Sequence, residues 1–524
     1  MPNKNDPARV ARRLIAALSM WGFVMQTAVF AQETVEIVEP ESGTMAAVES
    51  AYAAGEFTTA REGLQHLVAD PAHPVDGIAR YRLARMMLDG RGGPVEGSGA
   101  IELLKQAIDA GHAGAMTLMA QLALGGAITG SDPNMAVDLL TRAARADDVP
   151  AQVLLGRLYQ TGNGVAPDAA SAVRLFERAA QAGSATAQFE LSKHLSRGWG
   201  VEKDIRAAMQ LLQMASNSGL AEAQFFLALN FSNGTAMPRD IAKSLIWLTR
   251  AAEGGHAMAQ RVLGTRYLNG EDVGQDTDQA IMWLTRAANA GEPGAQSTLG
   301  YIYASGKGVP QDYEQAFGWY QKASARGLLR ATTALAHFYE RGYGVSADFE
   351  TAVSLYREAA DQGERAAQSR VAQLIVADRI ALPPDQARAT IWVARLALED
   401  RNTPVESWLS RRAEQQDATA QARLGHILAS TATESEVERL ADGVALLKTA
   451  AERGNAFAQY QLAQLFGSGT GVPQDYVEAH KWANLAAARG QSDAANAREL
   501  FSQLMTPDQV AEAQKRARNY VASN

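Results

Sequence analysis

The sequence of 524 residues contains no cysteine. Disulfide frameworks, thiolate zinc sites, cysteine nucleophiles and a lipid-modified N-terminal cysteine are therefore excluded. Positive charge is not in excess either, since the formal net charge is −8. We therefore expect no broad binding to nucleic acids, which requires Lys and Arg to neutralise phosphates. With 47% hydrophobic residues the composition is that of a globular protein, and the chain is too long for a single core of at most about 300 residues.

Long hydrophobic runs are scarce, and the one that stands out covers residues 14–25. It is shorter than the roughly 20 residues that span a membrane. Three arginines, beginning at Arg9, precede this run, and Ala31 offers a small residue at a cleavage point. This pattern is typical of a secretory signal peptide and predicts the removal of residues 1–31, with a retained membrane anchor as the alternative. We expect a periplasmic or secreted chain that is not an integral membrane protein after cleavage.

A 36-residue period runs through most of the remaining chain, and it is carried by columns of identical residues. The alanine column comprises Ala79, Ala115, Ala151, Ala187, Ala223, Ala259, Ala295, Ala331 and Ala367, and the glutamine column comprises Gln152, Gln188, Gln224, Gln260, Gln296 and Gln368. Leucine, glycine and aspartate columns accompany them. Chance does not align five such columns, so the chain contains tandem repeats.

The columns of the third repeat predict two helices joined by a tight loop. Ala151 and Leu155 lie on one face of a first helix. Gly162 stands where that helix needs a left-handed residue to end, and Gly164 lets the connection turn back. Asp168 is placed as the N-cap of a second helix. Because such short helices are marginal alone, the repeats must stack, and we expect an all-α solenoid of 36-residue helix-loop-helix repeats.

One repeat family shares this pattern. The seventh repeat carries Ala295, Gln296, Leu299, Gly300, Tyr301, Tyr303, Gly306, Gly308, Val309, Asp312, Ala316, Trp319, Tyr320, Lys322 and Ala323. This set resembles a Sel1-like repeat, a relative of the tetratricopeptide repeats. The resemblance implies an α/α superhelix, a concave side lined by the first helices, and a role as an adaptor or scaffold.

Departures from the period predict the domain boundaries. The glutamine after Gln368 that fits the column is Gln421, a step of 53 residues rather than 36. The predicted segments after the signal peptide are a linker with a tetratricopeptide-like helical hairpin (32–76), eight Sel1-like repeats (77–364), a degenerate repeat with an inserted helix near residues 404–416 (365–417), two further repeats (418–491) and C-terminal capping helices (492–524).

Two variable columns, four residues apart on the first helix, share one face and predict a binding surface. They contribute the candidate partner-binding residues Phe189, Lys193, Phe225, Arg261, Tyr301 and His337. Aromatic anchors mixed with positive charge are typical of interface hot spots, so we expect a protein or peptide partner on the concave face. The alternative is that Phe189 and Phe225 pack against adjacent repeats.

A third regular feature is a tryptophan on the second helix, repeated as Trp247, Trp283 and Trp319. These rings indicate packing between repeats or, as the alternative function, an aromatic stripe that binds carbohydrate or peptidoglycan.

The glycine pairs follow a helix rather than a strand, which argues against a nucleotide fingerprint. No histidine pair has the spacing of a zinc helix, and no nucleophile motif is present. We expect no catalytic residues, cofactor or metal. The resemblance to Sel1-like repeats implies a non-catalytic scaffold acting in envelope, exopolysaccharide or signalling regulation.

Overall fold

The computed structural model describes residues 44–70, 77–128, 132–399 and 403–523. The predictions for the signal peptide (1–31) and for the linker up to residue 43 lie outside these residues. The described part contains 27 helices and no strand. The predicted all-α fold of tandem helix pairs is therefore confirmed.

Contacts divide the described part of the chain into two compact lobes, an N-terminal lobe that ends at Asp204 and a C-terminal lobe that begins at Ile205. The helices of the N-terminal lobe are α1 (Met45–Ala53), α2 (Phe57–Ala69), α3 (Gly77–Asp89), α4 (Gly97–Asp109), α5 (Ala113–Leu124), α6 (Pro133–Arg145), α7 (Val149–Thr161), α8 (Ala169–Gln181) and α9 (Ala185–Arg197).

The C-terminal lobe contains the remaining helices. They are α10 (Ile205–Asn217), α11 (Ala221–Asn233), α12 (Ile241–Glu253), α13 (Ala257–Asn269), α14 (Thr277–Asn289), α15 (Pro293–Ser305), α16 (Tyr313–Ala325), α17 (Leu329–Arg341), α18 (Phe349–Asp361), α19 (Arg365–Val376), α20 (Gln386–Glu399), α21 (Thr403–Glu414), α22 (Ala418–Thr431), α23 (Val437–Glu452), α24 (Ala456–Ser468), α25 (Tyr476–Ala488), α26 (Ala494–Gln503) and α27 (Pro507–Ser523).

The ends of the third repeat's helices follow the predicted chemistry. Helix α7 ends at Gly162, whose φ of 76° is left-handed. Helix α8 begins at Asp168, whose Oδ1 accepts a hydrogen bond of 3.0 Å from the backbone N–H of Ser171. A glycine in the left-handed region and a carboxylate at the N-cap satisfy backbone groups that a helix leaves unpaired at its ends.

The second glycine of each loop has a further function, which is contact between repeats. A Cβ added at Gly344 would lie 2.2 Å from the carbonyl oxygen of Tyr313, the first residue of the second helix in the preceding repeat. A Cβ at Gly200 would lie 2.3 Å from the carbonyl carbon of Ala169, the first residue of α8. The loop of one repeat therefore touches the backbone of the repeat before it, and a side chain at this position would separate the two.

The glutamine column forms a second link between repeats. The Nε2 of Gln296, on the first helix α15, donates to the carbonyl oxygen of Ala288 on the preceding helix α14 at 3.0 Å. Gln260 makes the same bond to Ala252 at 2.9 Å. These side chains are buried, so each amide satisfies a carbonyl at the end of a helix that water does not reach.

Residues 365–417 contain three helices, α19, α20 and α21, instead of two. The Nε2 of Gln421 on α22 donates to the carbonyl oxygen of Ala413 on α21 at 3.1 Å, which is the bond that regular glutamines make to the preceding second helix. Helix α21 therefore contacts α22 as a second helix would, whereas α20 follows α19 at about the regular offset between the two helices of a repeat. Helix α20 packs against both α19 and α22 and buries Trp392 and Val393.

The last helix of the C-terminal lobe packs across the repeats that precede it. The Oη of Tyr520, on α27, donates to the backbone carbonyl of Glu452 at 2.6 Å. The Tyr520 ring also meets the ring of Trp482 edge-on, with centroids 5.5 Å apart. Helix α27 thus covers α25 and keeps Trp482 buried.

Candidate functional site

A cleft of about 560 Å³ lies along the first helices of successive repeats in the C-terminal lobe. Arg261 from α13, Tyr301 from α15 and Arg330 from α17 line it. We call it the first-helix cleft. It brings together two of the six residues predicted to bind a partner, Arg261 and Tyr301.

The space for this cleft depends on a glycine in the first turn of α15. A Cβ at Gly294 would lie 2.8 Å from the Cδ of Arg261. Any larger residue at this position would push the Arg261 side chain out of its place. Gly294 therefore helps to define the cleft, although it belongs to neither of the two variable columns that predicted the binding surface.

Of the two arginines in the cleft, one is paired with a carboxylate and the other is not paired with any described residue. The Nε of Arg261 lies 3.4 Å from Oε1 of Glu292. The other carboxylate oxygen of Glu292 accepts a hydrogen bond from the backbone N–H of Ala295 and caps α15. Arg330 is exposed and has no ion-pair or hydrogen-bond partner among the described residues. The cleft therefore offers one guanidinium that remains available to an anionic group.

Aromatic surface completes the cleft. Tyr301 is 53% exposed, so its ring and hydroxyl are open to a partner. Tyr320 lines the cleft from α16, and burial, together with the neighbouring Tyr301, raises the pKa of its hydroxyl to about 12. The Tyr320 ring packs edge-on against Phe338, with centroids 5.3 Å apart. The neutral, buried Tyr320 therefore provides a rigid apolar surface beside the exposed Tyr301.

His337, the fourth predicted residue of the C-terminal lobe, lies on α17 but does not line this cleft. Its ring meets Tyr343 edge-on at 5.8 Å. Desolvation lowers the pKa of His337, and the nearby Arg341 and Arg370 add to this effect, whereas Glu340 opposes it. His337 is therefore mainly neutral near pH 7, and its contribution to binding stays a prediction.

In the N-terminal lobe, Phe189 is only 1% exposed and Lys193 is engaged by its own helix. The Nζ of Lys193 lies 2.6 Å from Oε2 of Glu190 and 4.7 Å from the centroid of the Phe189 ring. Arg157 approaches the same Glu190 at 2.9 Å. Two cations thus compensate one buried carboxylate. The partner-binding role of Phe189 and Lys193 stays a prediction, and in this structure their contacts are internal.

Phe225 is also buried, at 8% exposure, and stacks on His256 with centroids 4.6 Å apart. The Nδ1 of His256 accepts from the backbone N–H of Ala259 at 3.1 Å and caps α13. The pair Tyr81 and His112 repeats this stack in the N-terminal lobe. The structure therefore shows Phe225 in the packing arrangement that the sequence analysis kept as the alternative.

The tryptophan column is covered on its faces. Trp247 and Trp283 are buried, and the guanidinium groups of Arg250 and Arg286 lie 4.7 and 4.8 Å from their ring centroids. The Nζ of Lys322 lies 4.1 Å from the centroid of the Trp319 ring. A sugar ring needs an uncovered aromatic face, so these contacts favour packing between repeats.

Within the described ranges, no group of three or more His, Asp or Glu side chains is arranged to hold a metal ion. In the same ranges, no helix combines the length and the apolar character needed to cross a bilayer.

Comparison with known proteins places these features in a family. The Sel1 repeat model matches residues 77–112, 113–148, 149–184, 185–220, 221–256, 257–292, 293–328, 329–364 and 456–491. A protective antigen of uropathogenic Escherichia coli displaying an SLR fold is 26% identical, with 88% of this chain and 94% of that chain covered and a TM-score of 0.49. A Sel1 repeat protein from Oxalobacter formigenes is 30% identical, with 69% of this chain and 99% of that chain covered and a TM-score of 0.43. No curated protein matches the chain. Because the repeat model covers more than half of its residues, the chain belongs to the Sel1 repeat family.

Proposed function

We propose that the protein is a non-catalytic scaffold of the periplasm or the cell exterior that binds a protein or peptide partner in the first-helix cleft. Sel1 repeats are typical of protein–protein interaction. The observation that carries the proposal is the cleft itself, where an exposed tyrosine and an unpaired arginine from successive repeats converge. Regulation in the envelope, in exopolysaccharide export or in signalling is the context in which we place this scaffold.

The chemistry of the cleft defines the kind of segment it would hold. Arg330 would receive a carboxylate, since a guanidinium binds carboxylates through paired N–H donors. Tyr301 would stack on an apolar or aromatic side chain, as exposed tyrosines do at interface hot spots. The partner segment therefore carries an acidic residue next to an apolar one.

Site-specific photo-cross-linking tests this proposal. A benzophenone amino acid would replace Tyr301 in one protein and Ile246, on the second helix α12, in the control, because both side chains are 53% exposed. In cells of the native host, we expect a discrete cross-linked partner from position 301 only, and its loss when Arg330→Glu is added. The cross-linked protein should be recovered from the periplasm or medium with Gln32 as its first residue. Equal adducts from both positions, or none from 301, would contradict the cleft assignment.

A further inference from the structure

A cluster of basic and aromatic side chains lies where helix α20 packs on α22. It consists of Arg395 from α20, Arg423 and His426 from α22, and Phe457 from α24. We call it the Arg423 cluster. The Cζ of Arg423 lies 3.7 Å from the centroid of the Phe457 ring, and His426 meets the same ring edge-on at 5.4 Å. Phe457 therefore holds both polar side chains in fixed positions.

Arg423 differs from Arg439 and Arg266, two other half-buried arginines of the C-terminal lobe, because no carboxylate among the described residues compensates it. Arg439 pairs with Glu406 at 2.7 Å, and Arg266 pairs with Asp272 at 3.3 Å. Arg423 is half-buried as well, yet in the described part of the chain it makes no hydrogen bond or ion pair. Its desolvation and the charge of Arg395 lower the pKa of its guanidinium to about 10.

An uncompensated, partly desolvated cation costs free energy in the unliganded protein. The stack on Phe457 offsets part of this cost, since cation–π contacts contribute about 0.5–2 kcal/mol. Stacking uses the face of the guanidinium and leaves its edge, with the N–H donors, unused. A ligand that accepts hydrogen bonds at that edge would remove the remaining cost.

Two neighbours of Arg423 affect the charge and the hydrogen-bond donors around that ligand. One N–H donor of Arg395 is already engaged, because its Nη1 donates to Oε1 of Gln368 at 2.8 Å. Burial and the adjacent Arg423 lower the pKa of His426, so its ring is mainly neutral near pH 7. The planar fork of N–H donors on the Arg423 guanidinium matches a planar acceptor such as a carboxylate.

We propose that the Arg423 cluster is a binding site for a carboxylate side chain in an acidic segment of a partner protein. The site lies on helices other than those of the first-helix cleft and does not depend on it. The whole chain carries a net charge of −8, so an acidic segment is repelled by most of the molecule and requires local cations of this kind.

Fluorescence anisotropy with defined peptides tests the proposal. The probe is a fluorescein-labelled peptide of repeated Glu-Gly-Ser, added to the chain without residues 1–31, and the same peptide with Gln in place of Glu is the uncharged control. We expect binding of the Glu peptide only. Arg423→Met should weaken it at least about tenfold, or about 1.4 kcal/mol. Arg518→Met, which removes an exposed arginine from α27 and changes the net charge equally, should leave the affinity unchanged.

Thermal unfolding without peptide separates a binding site from a structural stack. Methionine keeps an apolar side chain on the Phe457 ring, so Arg423→Met should leave Tm unchanged or raise it, because the uncompensated charge is gone. A lower Tm would show that the arginine is structural and would overturn the proposal. Equal affinities of the Arg423→Met and Arg518→Met proteins would also overturn it, as would tighter binding of a phosphoserine peptide than of the Glu peptide.

Discussion

At the scale of single residues, the two glycines of a repeat loop have different functions. The first ends a helix in the left-handed region, as Gly162 does with a φ of 76°. The second, such as Gly344, lets the loop touch the backbone of the preceding repeat. Positive φ alone therefore does not determine how costly a substitution is, and surrounding space must be considered as well.

Gly344→Ala is expected to destabilise the protein more than Gly327→Ala. Both positions have positive φ, 64° and 81°, which costs alanine about 1–2 kcal/mol. A Cβ at Gly327 meets nothing within 4 Å, whereas one at Gly344 would lie 2.2 Å from the Tyr313 carbonyl oxygen. Overpacking should add about 1–3 kcal/mol at position 344. Urea unfolding measures the difference, and equal losses would contradict a contact role for the second glycine.

The candidate site shows what residue columns can and cannot predict. Variable positions on one helix face led to Arg261 and Tyr301, which the structure brings into one cleft. Phe189 and Phe225 vary in the same way but are buried, because a column does not distinguish contact with a neighbouring repeat from contact with solvent. Arg330 was missed since it lies in neither column.

At the scale of helices, aspartate caps start the second helices and make stability depend on pH. In the C-terminal lobe, Asp240, Asp312 and Asp348 accept hydrogen bonds from the residue three positions on. These hydrogen bonds lower the pKa of each carboxyl below its ordinary value of 3.8. Their stabilising effect is therefore complete above that value and is lost as the pH falls through the lowered pKa.

A combined Asp240→Asn, Asp312→Asn and Asp348→Asn protein should lose less stability in acid than the wild type. Asparagine keeps the capping oxygen but has no carboxyl to protonate. As the pH falls below about 4, the urea midpoint should fall more steeply for the wild type. The exposed Asp442, in the middle of α23, provides the control Asp442→Asn, which should follow the wild type. Parallel curves for all three proteins would refute the role of the caps.

The arrangement of helices followed from the sequence wherever the period held. Glycine and aspartate columns located the ends of the helices, because both residue types satisfy terminal backbone groups. Between residues 365 and 417 the period fails, and the inserted helix was expected near residues 404–416. The structure has helix α21 (Thr403–Glu414) in this region, and which helix is inserted stays a prediction. The bond from Gln421 to Ala413 could not be predicted from the sequence, because it is a contact between two helices.

At the scale of the whole molecule, most of the described tryptophan side chains stabilise the packing of repeats rather than form a surface. Trp247, Trp283, Trp392, Trp408 and Trp482 are buried. Among the other described tryptophans, Trp319 is half-buried and Trp199 is 46% exposed, although the guanidinium of Arg197 lies 4.4 Å from the Trp199 ring centroid. This distribution gives carbohydrate binding along a tryptophan stripe little accessible surface.

Tryptophan fluorescence of the chain without residues 1–31 should be blue-shifted and largely resistant to acrylamide. Most of the quenchable emission should come from Trp199 and disappear in Trp199→Phe, because the other described tryptophans are buried or covered by cations. Trp283→Phe is the matched control and should leave the quenchable fraction intact. Strong quenching that persists in Trp199→Phe, or that soluble glycan suppresses, would favour the carbohydrate alternative.

The bonds of the buried glutamines favour one order in which the repeats pack during synthesis. Each bond, such as that from Gln296 to Ala288, reaches back to a segment that leaves the ribosome or a translocation channel earlier. The loop contact of Gly344 with Tyr313 points the same way. A repeat can therefore dock on the preceding repeat as soon as it emerges, and its glutamine then supplies the bond to the carbonyl at the end of that repeat's second helix. The repeats would then pack in the order in which they are synthesised, from the N-terminus onward, each against the repeat before it.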